Sequence, residues 1–414
     1  MVQNTCNLFP SSAGRKVPAV INSPNTPVRI PASIWALGFV SLLMDTSSEL
    51  IHGLLPVFLV TALGASALTV GLIEGLAEST ALIVKVFSGM LSDYLGKRKL
   101  LAVAGYGLGA LSKPIFALAS SAGIVLAARL IDRIGKGMRG APRDALVADL
   151  SPPEIRGAAF GLRQALDTVG AFLGPALAIG LMLLWANDFR AIFWVAIIPG
   201  LLSVLLLIFG VHEPEHVEPG PRTNPLSAQN LRRLPSPYWR VVVIGGVFTL
   251  ARFSEAFLIL RAQQGGLPIA YAPLVLVVMN IVYALAAYPF GKLSDSMKQS
   301  TLLMLGAVVL IMADLALAHG GPAGWVWAGI ALWGLHMGMT QGLLASMVAQ
   351  AAPRDIRGTA FGFFNVTSGL TMLVASALAG LLWDVQGAPA TFLTGAAFST
   401  AALALMLLHG AEAA

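Results

Sequence analysis

Long apolar stretches, separated by short polar segments, occupy the chain from residue 34 to residue 410. Each stretch is close to the roughly 20 apolar residues that an α-helix needs to cross a bilayer. The pattern predicts an all-α membrane protein with about twelve transmembrane helices. The predicted spans are about 34–61, 66–94, 99–119, 122–150, 157–185, 190–211, 238–263, 270–293, 300–319, 322–351, 358–383 and 389–410.

Two polar segments flank and divide the apolar part of the chain. Residues 1–33 are largely polar and proline-rich and lack the apolar core of a cleaved signal peptide, so we expect a cytoplasmic tail there. Residues 212–237 are the long polar stretch inside the chain. We predict that they link an N-terminal six-helix bundle, 34–211, to a C-terminal six-helix bundle, 238–410.

Two short motifs recur at nearly the same interval. Pro-Glu-Ile-Arg-Gly-Ala-Ala-Phe-Gly at 153–161 resembles Arg-Asp-Ile-Arg-Gly-Thr-Ala-Phe-Gly at 354–362, with 201 positions between the matching arginines. Gly-Met-Leu-Ser-Asp at 89–93 recurs 202 positions later as Gly-Lys-Leu-Ser-Asp at 291–295. The repetition predicts two pseudo-symmetric halves, which are expected to enclose a binding site near the bilayer midplane.

The composition fits this interpretation and excludes several other classes. Only 11% of the residues are charged, against roughly 25% in soluble proteins. The net charge of +6 is explained by Lys and Arg in predicted cytoplasmic loops, without any nucleic-acid-binding motif. This bias places both termini and the linker in the cytoplasm, with the chain in the inner (cytoplasmic) membrane. The single cysteine, Cys6, excludes an internal disulfide and a cysteine-based metal cluster.

The loop after the second span carries a family signature. Gly89-Met-Leu-Ser-Asp93-Tyr-Leu-Gly96-Lys97-Arg98 resembles the motif G-x-L-x-D-x-x-G-[RK]-[RK] of the major facilitator superfamily, and a degenerate copy lies at 291–298. The sequence Arg-Ile-Gly-Lys-Gly at 133–137 resembles an element that this family uses in proton coupling. The sequence Gly-Ala-Phe-Leu-Gly-Pro at 170–175 resembles the fifth-span motif of its drug:proton antiporters.

The resemblance implies a two-bundle fold, alternating access and specific roles for these motifs. The residues that it implies in gating are Gly89, Asp93, Gly96, Lys97, Arg98 and Asp295. Those that it implies in helix packing are Gly170, Gly174 and Pro175.

Ionisable residues in the middle of predicted spans are costly and therefore indicate function. The predicted proton-coupling or substrate-binding residues are Asp45, Glu49, Glu78, Arg133, Lys136, Arg163, Asp167 and Glu255. Asp45 and Glu49 are four residues apart and so share one helix face. Two carboxylates in a cavity of low dielectric constant do not both ionise cheaply, which suits a proton carrier.

Other charged residues have structural interpretations that stay open at this point. The pairs Arg129–Asp132 and Arg163–Asp167 are candidates for ion pairs inside the bundle. Glu74 is a candidate for a solvated residue at the outer surface. We expect Lys113, which precedes a proline, to extend toward the membrane surface.

The favoured function is proton-coupled export of a small solute, such as a drug-like compound. One alternative is transport of a divalent metal by Asp45, Glu49, His52 and His336. Another is transport of an organic anion by the row Arg133, Lys136 and Arg139. An enzyme is not indicated, since the sequence has no Walker loop, nucleophile elbow or HExxH motif. We expect no cofactor and a functional monomer in the lipid bilayer.

Overall fold

A computed structural model describes residues 30–213, 228–294, 296–319, 323–340 and 342–411. Within these ranges the regular secondary structure is entirely helical. Most of the predicted tail and linker, and all of Asp295, lie outside the described residues. The predictions made for them therefore stay predictions. The backbone of Asp93 is helical, but its side chain lies outside the described part.

Six helical spans form the N-terminal half. They are α1 (Ala32–His52, continued by Leu55–Val57 and a π-helical turn at Phe58–Ala62), α2 (Ala67–Leu95), α3 (Arg98–Leu118), α4 (Ala122–Leu150), α5 (Arg156–Leu184) and α6 (Phe189–Val195 with Ile197–Gly210). Their starts follow local signals: the side chains of Ser66 and Ser121 cap α2 and α4, and Asp188 caps α6. Gly96 ends α2 in the left-handed conformation, at φ 62°.

The C-terminal half repeats the pattern after a single helical turn at Ala228–Leu231. Its spans are α7 (Ser236–Leu250 with Ala256–Gln264), α8 (Leu274–Ser294), α9 (Gln299–Ala318), α10 (Ala323–Thr340 with Leu343–Ala351), α11 (Arg357–Gln386) and α12 (Ala388–Ala411). Short 3-10 turns precede α5, α8 and α11. In the described part of the chain, helices occupy the positions of the twelve predicted spans within a few residues at each end.

Nine of the helices in the described part are long and apolar enough to cross a membrane. The other three predicted spans correspond to α4, which carries the most charges, and to α7 and α10, which are interrupted. In α7 the backbone is irregular at 251–255, where Ser254 N–H donates to Ser376 Oγ at 3.2 Å. Irregular backbone at membrane depth is tolerated where protein or a cavity satisfies it.

The two halves meet along α2 and α11 and, less extensively, along α5 and α8. Glycines allow α2 and α11 to approach closely: a side chain at Gly71 would collide with the Ser376 carbonyl, and one at Gly380 with the Ala67 carbonyl. These contacts lie in the part of α2 and α11 remote from the linker. We call that side of the molecule the far end, and the opposite side the linker end.

One contact at the far end joins the halves by charge. The Asp384 carboxylate at the end of α11 accepts hydrogen bonds from the backbone N–H groups of Ala67 and Leu68, at 2.9 and 2.8 Å. These are the first two residues of α2, whose amides have no partner within the helix. A carboxylate of one half therefore caps a helix of the other half.

Candidate functional site

A cavity of about 290 Å³ lies between the two halves. Charged residues line it from both sides: Glu49, His52, Glu74, Glu78, Arg133 and Lys136 from the N-terminal half, and Arg252 and Glu255 from the C-terminal half. Neutral side chains complete the wall, among them Phe253, Asn280, Trp333 and Met372. The structure thus brings five of the eight predicted coupling residues to one cavity, namely Glu49, Glu78, Arg133, Lys136 and Glu255.

Two ion pairs between α2 and α4 lie at one wall of this cavity, which Glu74, Glu78 and Arg133 line. Arg133 Nη1 lies 3.3 Å from Glu78 Oε1, and Arg129 Nη2 lies 2.7 Å from Glu74 Oε2. Both arginines and Glu74 are buried, whereas the Glu78 side chain is about one-third exposed to the cavity. Each pair compensates charges that would be costly to bury singly. Glu78 is therefore the member that solvent and a solute reach.

Three charged groups of the cavity make no ion pair within the described residues: Lys136, Arg252 and Glu255. Lys136 comes from α4, and the other two lie in the irregular segment 251–255 of α7. The cavity thus offers two free cationic groups and one free carboxylate beside an aromatic wall. This arrangement suits a small solute that carries both signs of charge, or an anion.

The remaining predicted coupling residues form a second cluster outside the cavity lining. Asp45 Oδ1 lies 3.9 Å from Arg139 Nη2. Asp167 lies 3.7 Å from both Arg143 and Arg163. The predicted pair Arg163–Asp167 is therefore present. Asp45 and Glu49 share a helix but contact different partners, because the Glu49 carboxylate lies 3.3 Å from Nδ1 of His52.

Three structural expectations about charged residues are wrong. Lys113 does not extend outward: it is 1% exposed, and its Nζ lies 2.8 Å from Asp132 Oδ1. Since Asp132 binds Lys113, the predicted Arg129–Asp132 pair does not form and Arg129 binds Glu74 instead. Glu74 is consequently 1% exposed rather than solvated at the surface.

The metal alternative finds no assembled site in the described part of the chain, where no group of three or more His, Cys, Asp or Glu side chains is placed to hold an ion. His52 lines the cavity between Glu49 and Glu74. His336 instead lies in the core of the C-terminal half, where its Nδ1 is 2.8 Å from the Gly306 carbonyl oxygen.

The described residues among those predicted for packing and gating lie at helix contacts and helix ends. Gly170 and Gly174 of α5 pack against the α1 backbone, and Pro175 is buried beside them. Gly89 faces α4 at Ala141, and Lys97 precedes the first residue of α3. Arg98 forms an ion pair with Asp149 of α4. Their roles in gating stay predictions.

Sequence reasoning missed the neutral part of the cavity wall. Phe253, Asn280, Trp333 and Met372 are ordinary residues of apolar helices, and no local pattern separates them from core or lipid-facing positions. Arg252 was visible as a charge in a predicted span. The criterion that indicates Glu255, an ionisable residue within a predicted span, applies equally to Arg252.

Comparisons with known proteins agree with this fold. The sequence matches the Major Facilitator Superfamily over residues 37–376. An MFS-type transporter of Methanocaldococcus jannaschii is 35% identical over 383 residues, which cover 91% of this chain and 94% of that protein. The quinolone resistance protein NorA of Staphylococcus aureus is 27% identical over 217 residues, covering 52% of this chain and 54% of NorA. A crystal structure of the nucleoside transporter NupG has a TM-score of 0.78 at 13% identity, covering 91% of this chain and 99% of that chain. The chain is therefore a multi-pass membrane transporter of the Major Facilitator Superfamily.

Proposed function

We propose that this protein exports a small drug-like solute in exchange for protons, by alternating access of the central cavity. The observation that carries the proposal is the Arg133–Glu78 ion pair in the cavity wall, with Glu78 partly exposed. Ionisable residues that face a cavity within a membrane are typical of proton relays. Protonation of Glu78 would release Arg133, and loss of the proton would restore the pair. Binding of a solute group to Glu78 or to Arg133 is thereby linked to binding of the proton.

The free charges of the cavity support a solute that is a zwitterion with an aromatic body. Lys136 and Arg252 would bind its anionic group, Glu255 would bind its cationic group, and Trp333 and Phe253 would contact its ring. Quinolones have this chemistry, and the relative NorA is by its name a quinolone resistance protein.

A second candidate is organic-anion transport. It is favoured by the two cavity cations, Lys136 and Arg252, that have no ion-pair partner among the described residues. In that case Lys136 and Arg252 would be the principal contacts, and Glu255 would be dispensable for binding.

The proposed orientation follows from the distribution of basic residues. Placing the linker end in the cytoplasm also places there Lys97, Arg98, Lys99, Arg156, Lys292, Lys298, Arg354 and Arg357. The chain then lies in the inner membrane with both termini in the cytoplasm. Because the two halves are in contact at the far end, the cavity then faces the cytoplasm.

Cysteines introduced at positions 120 and 220 in a Cys6→Ser background test this orientation. We expect an impermeant thiol reagent to label position 120 alone in intact cells. Labelling of position 220 from outside would reverse the orientation.

Uptake of norfloxacin, a zwitterionic quinolone, into proteoliposomes with an acidic lumen tests the function. The wild-type protein should accumulate the drug, and a protonophore should abolish the accumulation. Glu78→Gln should lose it, whereas Asp355→Asn should not, because Asp355 pairs with Arg233 at the exposed surface. Accumulation that ignores the pH gradient, or full activity in folded Glu78→Gln, would contradict proton coupling.

Thermal stabilisation of the purified protein separates the two candidates. Stabilisation by norfloxacin that is lost in Glu255→Gln supports the zwitterion. Stabilisation by benzoate alone, lost in Lys136→Met and retained in Glu255→Gln, would replace the proposal with anion transport.

A further inference from the structure

Asp314, in the middle of the C-terminal half, is a buried carboxyl group without a partner. Its residue exposure is 0%, and both side-chain oxygens lack a hydrogen-bond partner in the described part of the protein. It also forms no ion pair there, unlike Glu74, Asp132 and Asp45 in the N-terminal half. Burial of an unpaired carboxylate is far costlier than burial of the neutral acid.

The internal repeat shows what is missing around Asp314. A shift of 201 positions maps Lys113 of α3 onto Asp314 of α9, and Asp132 of α4 onto Trp333 of α10. In the N-terminal half this pair of positions holds a buried ion pair with 2.8 Å between Nζ and Oδ1. In the C-terminal half the same positions hold a carboxyl group and an aromatic ring. The repeat therefore keeps the buried ionisable group and omits its counter-ion.

Within the described residues, no charged group of the neighbouring helices pairs with Asp314. Arg261 of α7 comes near along α9, but its Nε donates to the Leu317 carbonyl oxygen at 2.8 Å. On α10 the titratable side chain is His336, which binds the Gly306 carbonyl eight residues before Asp314, about 12 Å along α9. Described residues of α12 up to Leu408 contain no titratable group. On α11, Asp384 is bound to the amides of α2 at the far end.

The α7 segment separates Asp314 from the central cavity. Arg252 and Glu255 line the cavity, and Phe253 lies between them. A Cβ added at Gly395 of α12 would lie 2.7 Å from Asp314 Oδ2 and 3.0 Å from the Phe253 ring. The Phe253 ring thus touches both the cavity and the site that Asp314 faces. It lies in the irregular part of α7, where few helical hydrogen bonds hold the backbone.

We propose that Asp314 is a proton-binding site inside the C-terminal half, loaded in this state and reached from the central cavity when Phe253 moves aside. Its ligand is a proton, taken up by the carboxylate to give the neutral acid and returned to cavity water. The site is distinct from Glu78 and does not depend on which solute is transported. Asp314 would thus be a second proton-binding residue, next to the irregular segment of α7 on the C-terminal side of the cavity.

Infrared spectroscopy of the full-length protein in lipid nanodiscs tests the site. At neutral pH, the spectrum of the wild type minus that of Asp314→Asn should contain the carbonyl band of a protonated carboxylic acid. After transfer to D2O this band should shift slowly in the wild type. In Phe253→Ala the shift should be faster by about tenfold or more, which corresponds to about 1.4 kcal/mol in the local opening equilibrium.

Phe257→Ala is the matched control, since Phe257 packs on Phe253 at 5.6 Å between ring centroids, whereas the atoms nearest a Cβ at Gly395 belong to Asp314 and Phe253. Phe253→Leu replaces Phe253→Ala if the latter does not fold. A missing acid band in the difference spectrum would overturn the proposal, because Asp314 would then be ionised. Equal exchange rates in the Phe253 and Phe257 variants would overturn the route through Phe253. Neither outcome bears on Glu78 or on drug export.

Discussion

Replacement of Asp384 by alanine should shift the protein toward the state in which the far ends of the two halves separate. The Asp384 carboxylate accepts hydrogen bonds from Ala67 and Leu68 of the other half, at 2.9 and 2.8 Å. Both bonds must break when the far end opens. A side chain that caps a helix start contributes about 0.5–2 kcal/mol. Because that loss falls on one state only, the ratio of open to closed far ends should rise by a factor of about 2 to 30.

Distances between spin labels measure this ratio without knowledge of the solute. Cysteines at Ser120 and Gly324, in a Cys6→Ser background, place labels on exposed far-end positions of the two halves. The Asp384→Ala variant should gain population at the longer distance. Asp188→Ala is the matched control, because Asp188 caps α6 through the amides of Arg190 and Ala191 within one half.

The two variants lose the same kind of interaction and differ only in whether it bridges the halves. A distance distribution that Asp384→Ala leaves unchanged would refute the capping contact as a latch. An equal shift in Asp188→Ala would show that helix capping in general, rather than the bridge, controls the equilibrium.

Three further predictions concern charged residues of the N-terminal half. Lys113→Met removes the closer of the two partners of Asp132 and leaves Arg133 Nε at 3.7 Å. It should destabilise the protein by about 3–5 kcal/mol, seen as a lower melting temperature that a second change, Asp132→Asn, partly restores. An unchanged melting temperature would argue against the pair. Asp93→Asn should slow norfloxacin transport while leaving its binding intact, and equal losses of both in a folded variant would exclude a gating role. Asp45→Asn and Glu49→Gln should each abolish norfloxacin uptake driven by a pH gradient, yet keep downhill exchange of the drug. Uptake at the wild-type level in both folded variants would show that neither carboxylate couples transport to protons.

The helices and their order could be read from the sequence because membrane helices carry their own signal. Spans near 20 apolar residues stand out, and the prediction of 122–150 matches α4 at both ends despite its charges. The duplicated motifs added the two-half arrangement. Hydropathy and short motifs are local features of the sequence, so they predict helices without knowledge of tertiary contacts.

The partners of the buried charges could not be read in the same way. Arg129 and Asp132 of α4 are candidates for one ion pair in the sequence, yet each binds a residue of a neighbouring helix. Partner choice depends on how each helix is rotated about its axis, which hydropathy alone does not define. The break in α7 was missed for a related reason, because its irregular backbone is stabilised by Ser376, more than 120 residues away.

The repeat explains why charge is concentrated on one side of the cavity. With the interval of 202 found for α2 and α8, Glu74 and Glu78 map onto Leu276 and Asn280, and all four line the cavity. With the interval of 201 found for the later helices, Arg133 maps onto Gly334.

In the C-terminal half this glycine lets α10 pack directly against the α8 backbone, where a side chain would collide with the Met279 carbonyl. The same contact between helices is thus an ion pair in one half and close neutral packing in the other. A charged residue of an ion pair is able to exchange its partner for a proton or a solute group, whereas a glycine packed on a backbone has no such partner to exchange. Under the proposed function, the N-terminal half is therefore the half whose cavity-wall ion pair changes with protonation. The C-terminal half contributes the charges of Arg252 and Glu255, which lie on the irregular segment of α7.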